Sequence, residues 1–466
     1  MSEQGPVPGG AATEERIIPD AAEFASAASR ATVLATNVLQ ALLIAVVVLW
    51  VLDVPRRVFN ISFYTEQLLT VCLGLTLALA FIAGGARKPS PFDWGGAVSS
   101  VFLAVYIVFR YVAADEVSPW AIGGLVLCLI WTVIGNRVWA ARPIDWLAAI
   151  VSLVLCGYIA VRYEPLTYEI ALLPREGIIG SAILTILVLE GSRRISGWGF
   201  VGIILAMAVY IYISPYLPGD FQTRYVTPER LVVYIGLDVN GIISAILQVA
   251  VLIVIPFTIL GQVLARTGGA DFFSDIAMAA MGRFRGGAGK IAVVGSGLFG
   301  MISGSAVSNV LAVGIVTIPT MIRSGFTPYR AAAIESVGST GGQLMPPVMG
   351  ASAFLMGEFL QVSYGAVCIA AAIPALLYYA CLFLHVDLEA AKQKIGAAAI
   401  ADAPGIGEVL RSGWHFFIPI GFLIAALIYP DVFGLTPEKV AIVSTGMLML
   451  FALVFGYRGR RASISE

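Results

Sequence analysis

Two apolar segments near the middle of the chain carry residues that interrupt helices. Gly295–Gly314 reads GSGLFGMISGSAVSNVLAVG, and Glu335–Gly350 reads ESVGSTGGQLMPPVMG. In hydrocarbon every backbone N–H and C=O group needs a partner, so irregular backbone is tolerated only where it is buried in protein or lines a water-filled cavity. Paired interruptions of this kind are typical of the substrate and ion site of a transporter. Close helix packing is the alternative, since Gly300 and Gly304 form a small-xxx-small motif.

The composition indicates a membrane protein. Hydrophobic residues make up 59% of the chain and charged residues 12%, whereas a soluble domain has about 45–50% and about 25%. The net charge of −1, without a basic stripe, excludes a nucleic-acid-binding protein. The five cysteines show no paired spacing and predict neither a disulfide nor a metal site. We therefore expect an all-α polytopic membrane protein.

Apolar spans long enough to cross a bilayer form two series. Residues 1–29 come first and are predicted to be a disordered cytoplasmic tail, because they lack a signal-peptide pattern. The first series covers about 31–52, 64–84, 94–113, 120–138, 143–161, 177–191 and 196–215. After a polar break, the second series covers about 241–265, a hairpin over 288–322, a broken helix over 328–361, then 363–385, 414–430 and 438–456. Residues 387–411 are predicted to be a polar linker.

The Lys and Arg residues predict an orientation, because they are enriched on the cytoplasmic side. With a cytoplasmic N-terminus and a hairpin that enters and leaves from one side, about 20 of the 28 Lys and Arg residues lie inside. If 288–322 crossed the membrane completely, every later loop would change sides and this asymmetry would be lost. The charges therefore favour a re-entrant hairpin that opens to the cytoplasm.

The two interrupted segments resemble a known transporter family. GLFGMISGSAVSNV, residues 297–310, is similar to the first hairpin of the large membrane subunit of TRAP transporters, the tripartite ATP-independent periplasmic carriers. STGGQLMPPVMGASAFLMGEF, residues 339–359, resembles the TAXI-type branch, in which the small and large membrane subunits are fused. The resemblance implies a small-subunit-like (DctQ-like) and scaffold region over 30–239. Residues 240–466 would form the N-terminal half of the large-subunit (DctM-like) transport region.

The resemblance also implies an activity. It predicts a permease of the bacterial inner membrane that imports small organic acids, usually carboxylates, by an elevator mechanism. A periplasmic TAXI-type binding protein would deliver the substrate, and a Na⁺ or H⁺ gradient would drive uptake without another cofactor. The family's transport region has two inverted repeats, each with a hairpin and a broken helix, whereas one of each is found here. We expect a second polypeptide or a further segment to supply the second hairpin.

The candidate ion- and substrate-binding residues lie at the two interruptions. At the hairpin tip they are Ser303, Gly304, Ser305 and Asn309. Glycine permits a sharp turn, while hydroxyl and carbonyl oxygens would face the ion or substrate. Asn309 could equally form an interhelical hydrogen bond.

Four residues before the double proline are predicted to unwind the next helix and to present carbonyl oxygens to a cation: Ser339, Thr340, Gly341 and Gly342. Pro346 and Pro347 lack a backbone N–H and are expected to keep this break open, with a simple kink as the alternative. Glu335 precedes the break in an apolar stretch, where an ionisable group is costly and indicates function. It could carry a proton or couple to the ion, or it could pair with an arginine and stabilise the fold.

The leading hypothesis is thus the membrane component of a binding-protein-dependent secondary transporter. A structural membrane subunit without transport activity of its own is the alternative. We do not expect an enzyme, because the sequence offers no nucleophile–base pair, metal cluster or polar catalytic loop, and its two histidines lie at predicted helix ends.

Overall fold

The computed structural model describes residues 30–60, 63–84, 141–397 and 405–457. The predicted tail over 1–29 and the predicted spans over 94–113 and 120–138 lie outside these residues. Among the described residues, seven helices are long and apolar enough to cross a membrane, and one bent pair would make an eighth. The regular secondary structure of this part of the chain is helical. The predicted fold class, an all-α polytopic membrane protein, is therefore confirmed.

The helices of the described residues follow one another in this order: α1 (Arg30–Val51), α2 (Val54–Phe59), α3 (Thr65–Gly84), α4 (Ala141–Val161), α5 (Tyr163–Tyr168), α6 (Arg175–Ser196), α7 (Trp198–Ile213), α8 (Pro228–Leu237), α9 (Ala245–Val249), α10 (Ile255–Arg266), α11 (Gly269–Met281), α12 (Gly287–Ser303), α13 (Ala306–Arg323), α14 (Pro328–Gly341), α15 (Ala351–Leu360), α16 (Tyr364–Gln393), α17 (Ile406–Ser412), α18 (Trp414–Ile428), α19 (Pro430–Phe433) and α20 (Pro437–Val454). A π-helical turn, Ala250–Val254, joins α9 to α10. The bent pair consists of α17 and α18, which meet at 72°.

The chain divides into two compact units, with divisions after Leu43, Cys72 and Leu237. The first unit contains α4–α8. The second contains α2 and α9–α20, and helices α1 and α3 contribute to both. The hairpin and the broken helix both belong to the second unit.

In the first unit, α6 packs against α4, α7 and α8. Arg194, in the last turn of α6, donates a hydrogen bond to Asp145 of α4 at 2.6 Å. It also donates to Glu190, one turn earlier, at 2.8 Å. Because buried charges need partners, this network fixes α4 against the end of α6.

In the second unit, α12 and α13 form the helical hairpin that the sequence predicts over 288–322. Gly304 separates them with a φ angle of 59°, a left-handed conformation that glycine adopts without steric cost. Ser305 follows as the N-cap of α13, and its side-chain oxygen accepts a hydrogen bond from the N–H of Ser308 at 3.3 Å. The turn and the start of the second arm are thus encoded by two adjacent residues.

The helices α14 and α15 form the broken helix predicted over 328–361. They are separated by the non-helical loop 342–350, which contains Pro346 and Pro347. Neither proline can donate a backbone hydrogen bond, and the helix resumes at Ala351.

The start of this break differs from the prediction. Ser339, Thr340 and Gly341 remain within α14, so the unwinding begins at Gly342. The physical reason is that their three carbonyl oxygens accept hydrogen bonds from the N–H groups three residues ahead, at 3.0–3.2 Å. The last turn of α14 therefore stays closed, and these carbonyl groups already have partners.

Helix α16 lies across the broken helix and contacts its backbone. The hydroxyl of Tyr378 donates to the carbonyl oxygen of Val337 at 2.8 Å, and the hydroxyl of Tyr379 donates to that of Gly338 at 2.9 Å. The Tyr379 bond is buried, where a hydroxyl and a carbonyl group need each other as partners, and the Tyr378 bond is exposed. These bonds attach α14 to α16 next to the break.

The predicted polar linker over 387–411 is wrong at its beginning, because α16 continues to Gln393. The polar residues there have partners on the neighbouring elements. Lys290 of α12, which is buried, donates to Asp387 at 2.6 Å, and Arg330 of α14 pairs with Glu389. The last turns of α16 are thus tied to the hairpin and to the broken helix.

The hairpin and the broken helix meet at two glycines. A Cβ atom on Gly300 of α12 would lie 2.5 Å from the Cα of Gly342. A Cβ atom on Gly342 would lie 2.7 Å from the Cα of Gly300. Such a backbone-to-backbone approach is the general use of small residues between membrane helices. The packing alternative for Gly300 is thus observed together with the helix break.

We expect Gly300→Ala to destabilise the protein by about 1–3 kcal/mol, the usual cost of overpacking, because the backbone at Gly342 must move. Gly446→Ala in α20 is the matched control, since nothing lies within 4 Å of its Cβ position and alanine favours a helix. Thermal unfolding of the detergent-purified protein compares the two. If Gly300→Ala unfolded at the same temperature as Gly446→Ala, the close contact between the two backbones would be contradicted.

Candidate functional site

The hairpin tip and the helix break lie side by side. The N–H of Val348 donates to the carbonyl oxygen of Met301 at 2.9 Å, which joins loop 342–350 to the last turn of α12. A Cβ atom on Gly304 would lie 2.7 Å from the carbonyl oxygen of Met349. The turn of the hairpin is therefore in direct backbone contact with the loop of the broken helix.

Loop 342–350 is held by its own chain and by α16. The N–H of Gly350 donates to the carbonyl oxygen of Gln343 at 2.9 Å. The hydroxyl of Tyr364, at the start of α16, donates to the carbonyl oxygen of Pro347 at 2.8 Å. These bonds give partners to backbone groups that an open helix would otherwise leave in apolar surroundings.

The two predicted serines of the tip differ in their environment. Ser303 is buried, and its hydroxyl oxygen has no hydrogen-bond partner among the residues that the structure describes. Helix α10 approaches it closely, because a Cβ atom on Gly261 would lie 3.3 Å from the Cα of Ser303. Ser305 instead uses its hydroxyl to cap α13. Ser303 thus keeps an unpaired hydroxyl oxygen in the described residues, whereas Ser305 caps the helix that follows the turn.

Asn309 combines both interpretations that the sequence left open. Its Nδ2 atom donates to the carbonyl oxygen of Ser296 at 2.8 Å, which is the interhelical hydrogen bond. Its Oδ1 atom is buried and has no partner within the described part of the chain. The amide lies against Gly300 and Gly342, since a Cβ atom on either glycine would come within 3.0 Å of Nδ2. Asn309 therefore places an unused oxygen where the hairpin meets the break.

Glu335 is completely buried and accepts hydrogen bonds from three hydroxyl groups. Ser296 of α12 donates at 2.9 Å, Thr317 of α13 at 2.5 Å, and Ser339 of its own helix at 3.0 Å. The carboxylate thus contacts both arms of the hairpin and the broken helix. Buried polar groups of this kind are costly unless each has a partner, and here the partners come from three helices.

The surroundings of Glu335 are polar but carry no positive charge. Among the described residues the carboxylate bonds to hydroxyl groups, and the arginine partner that the sequence left open is not observed there. The described residues also contain no group of three or more His, Cys, Asp or Glu residues that could hold a metal ion.

Two of the predicted site residues, Thr340 and Gly341, make contacts within α14 or with α16 instead. The hydroxyl of Thr340 donates to the carbonyl oxygen of Ser336 at 2.8 Å, on the exposed side of α14. A Cβ atom on Gly341 would lie 2.3 Å from the ring of Tyr378. Thr340 therefore satisfies its own helix, and Gly341 permits the packing of α16. The structure brings together the tip, Asn309 and Gly342, and it places Ser339 on Glu335.

Ser296 and Thr317 belong to this junction but were not among the predicted site residues. Both are buried hydroxyl groups within apolar helices, where serine and threonine commonly bond to the backbone of their own helix. The signal that could have revealed them is their position on the two arms of a hairpin that must pack against a buried carboxylate.

Comparison with known proteins identifies relatives over the second half of the chain. A family model described as "Tripartite ATP-independent periplasmic transporter, DctM component" matches residues 183–466, which is more than half of the chain. The match begins before residue 240, where the sequence suggested the start of the transport region. It includes the hairpin, the broken helix and α16.

Three curated relatives carry transporter names. The C4-dicarboxylate TRAP transporter large permease protein DctM of Pseudomonas aeruginosa is 30% identical over 214 residues, which are 46% of this chain and 48% of the relative. The protein of the same name in Vibrio cholerae is 28% identical over 210 residues, which are 44% of this chain and 45% of the relative. The ectoine TRAP transporter large permease protein TeaC of Halomonas elongata is 27% identical over 207 residues, which are 44% of this chain and 47% of the relative. The chain thus spans about half the length of the curated relatives it matches.

We expect Glu335→Ala to destabilise the protein by more than the roughly 1.5–3 kcal/mol of one hydrogen bond to a charged group, because the buried hydroxyls of Ser296 and Ser339 lose their acceptor and Thr317 keeps only Val313. Glu335→Gln should cost less, since one oxygen still accepts. Glu358→Ala, at an exposed carboxylate on α15, is the control for removing a glutamate. The unfolding temperatures of the three variants are compared. Equal unfolding temperatures of Glu335→Ala and Glu358→Ala would refute a structural role for the Glu335 cluster.

Proposed function

Because this chain belongs to the DctM component family of tripartite ATP-independent periplasmic (TRAP) transporters, we propose that it is the membrane permease component of a binding-protein-dependent secondary transporter. In this proposal it imports small organic acids across the bacterial inner membrane, driven by an ion gradient. The C4-dicarboxylate permeases among its relatives support a small carboxylate as the substrate.

The observation that carries the proposal is the junction of the hairpin tip with the helix break. Interrupted helices that meet at one place are the usual way in which a secondary transporter builds its site. Here the two interruptions are joined by the hydrogen bond between Val348 and Met301 and by the contact of Gly304 with Met349. Buried oxygen atoms without partners lie at the same junction.

The coupling ion is proposed to be Na⁺. Ser303 Oγ and Asn309 Oδ1 are buried oxygen atoms without a hydrogen-bond partner in the described residues, and unwound carbonyl groups near the break can add ligands. A polar oxygen left unpaired in such surroundings costs about 1–3 kcal/mol, which a bound cation would offset. Glu335 would stabilise this junction through its three hydroxyl partners. A proton on Glu335 remains the competing coupling mode that the experiment below separates.

The substrate carboxylate is proposed to bind near the starts of two helices. Helix α13 begins at the tip, and α15 begins directly after the loop, at Ala351. The N-terminus of a helix presents unpaired N–H groups and partial positive charge, and both favour an anion. The contact between Gly304 and Met349 brings the starts of these two helices to the same junction.

An elevator movement would require the hairpin, the broken helix and α16 to move as one body. Three kinds of contact support this. Glu335 joins both arms of the hairpin to α14, and the tyrosine hydroxyls of α16 bond to the backbone of α14. The ion pairs of Lys290 with Asp387 and of Arg330 with Glu389 fasten the other end.

The partners of the chain are part of the proposal. A periplasmic binding protein of the TAXI type would deliver the substrate, and a second hairpin with its own broken helix would complete the site, from a second polypeptide or a further segment. The N-terminus is proposed to be cytoplasmic, which follows from the distribution of Lys and Arg. The small-subunit-like region over 30–239 is proposed to be a scaffold for the moving body.

The test is uptake of a labelled C4-dicarboxylate, or of ectoine, into proteoliposomes that contain this chain, its binding protein and any second permease polypeptide. A Na⁺ gradient and a pH gradient are imposed separately. We expect uptake that needs the binding protein and follows the Na⁺ gradient. Ser303→Ala should raise the Na⁺ concentration for half-maximal uptake about tenfold, equivalent to roughly 1.4 kcal/mol.

Thr320→Ala is the matched control, because its hydroxyl lies on the exposed side of the same hairpin and bonds to its own helix. Uptake that follows the pH gradient alone and fails in Glu335→Gln would replace Na⁺ by H⁺ as the coupling ion. Folded protein that shows no uptake under either gradient would favour the structural subunit instead.

A further inference from the structure

A groove of about 260 Å³ opens on the first unit. It lies between α4, α5, α6 and α8, and its walls are mostly aliphatic side chains, among them Leu155, Ile159, Ile179 and Ile183. Ile179 and Ile183 are also well exposed, which shows that one side of the groove is open. Aliphatic walls of this kind suit an acyl chain as the occupant of the groove.

Two glycines of α6, Gly177 and Gly180, line the groove. A Cβ atom on Gly180 would have only the Cδ1 atom of Leu155 near it, at 3.9 Å, so a side chain at this position would extend into free space within the groove. The missing side chain at Gly180 thus leaves space in the groove, whereas a Cβ atom on Gly177 would contact Pro174 and Leu237 at 3.2 and 3.5 Å.

One end of the groove is polar. Glu176, in the first turn of α6, accepts hydrogen bonds from the Tyr158 hydroxyl at 2.5 Å and from Arg162 at 3.1 Å. Arg162 follows directly after the apolar helix α4, so the group lies where two apolar helices end. Aromatic and charged side chains at such ends mark the membrane–water interface.

The polar group keeps binding capacity for a ligand. Arg162 and Glu176 are 47% and 36% exposed. A guanidinium carries five N–H donors, and a carboxylate offers about four acceptor positions. The bonds to Tyr158 and between the pair use only part of both sets. The pair therefore presents a cation and an anion side by side at the mouth of an aliphatic groove.

We propose that this groove binds a zwitterionic phospholipid with a primary-amine headgroup, a phosphatidylethanolamine. One acyl chain fills the groove along Leu155, Ile179 and Ile183. The phosphate receives hydrogen bonds from Arg162, and the ammonium donates to Glu176. This inference concerns the first unit and does not rest on the proposed transport function.

The charges select this headgroup among the common ones. A phosphatidylglycerol offers hydroxyl donors to Glu176 but no cation, so its hydrogen bond to the carboxylate has an uncharged donor. A phosphatidylcholine carries a cation without N–H donors, so it cannot make the hydrogen bond to Glu176. Of the three, the primary amine gives Glu176 a charged hydrogen-bond donor while the phosphate accepts from Arg162, and hydrogen bonds are stronger when both groups are charged.

Native mass spectrometry of the detergent-purified full chain tests the proposal. Phosphatidylethanolamine, phosphatidylcholine and phosphatidylglycerol with identical acyl chains are offered in equal amounts. We expect the wild-type protein to retain phosphatidylethanolamine about tenfold over the other two. Glu176→Gln should remove the preference over phosphatidylcholine, because the anion is lost while the groove remains.

Gly180→Leu should lower retention of phosphatidylethanolamine about tenfold, because its side chain fills the groove. Gly202→Leu on α7 is the matched control, since its Cβ position faces open space in the same unit, and it should retain lipid like the wild type. Equal retention of the three lipids by the wild type, or a preference for phosphatidylglycerol, would overturn the proposal. The wild-type comparison decides even if Gly180→Leu fails to fold.

Discussion

The approach of Gly300 to Gly342 is the contact on which the rest of the junction depends. Without Cβ atoms the backbone of α12 reaches the first residue of the break, and the N–H of Val348 then finds an acceptor on Met301. In apolar surroundings an interrupted helix persists only if neighbouring elements supply such partners. The break in α14–α15 is therefore stabilised by the hairpin, together with the bonds within its own loop and from Tyr364 of α16.

The Glu335 carboxylate adds a second connection, which joins three helices. Its donors stand on α12, α13 and α14, so the carboxylate links both arms of the hairpin to the broken helix. The charged pairs lie instead at the ends of the same helices, where Lys290 and Arg330 reach α16. The buried contacts of Glu335 and the ion pairs of Lys290 and Arg330 thus connect the same helices at two places along their length.

Sequence reasoning located both interruptions and missed how they are connected. The hairpin could be predicted because Gly304 stands between two apolar runs, and the resemblance to the large TRAP subunit is confirmed by the family match. The break was placed too early, since Gly341 is a packing position against Tyr378 and leaves the helix intact. Ser296 and Thr317 are hard to assign from the sequence, because a hydroxyl in an apolar helix shows no partner until the helices are packed, and their place on the two arms of the hairpin is the one signal for them. The TAXI branch stays a prediction.

A missing hydrogen-bond partner is not by itself evidence for an ion, as His415 shows. Both of its ring nitrogens are buried without a partner in the described residues, yet its neighbours are the rings of Trp414, Phe416 and Phe455, which offer no further ligand. The oxygens of Ser303 and Asn309 differ because they lie beside non-helical backbone whose carbonyl groups can complete a coordination shell.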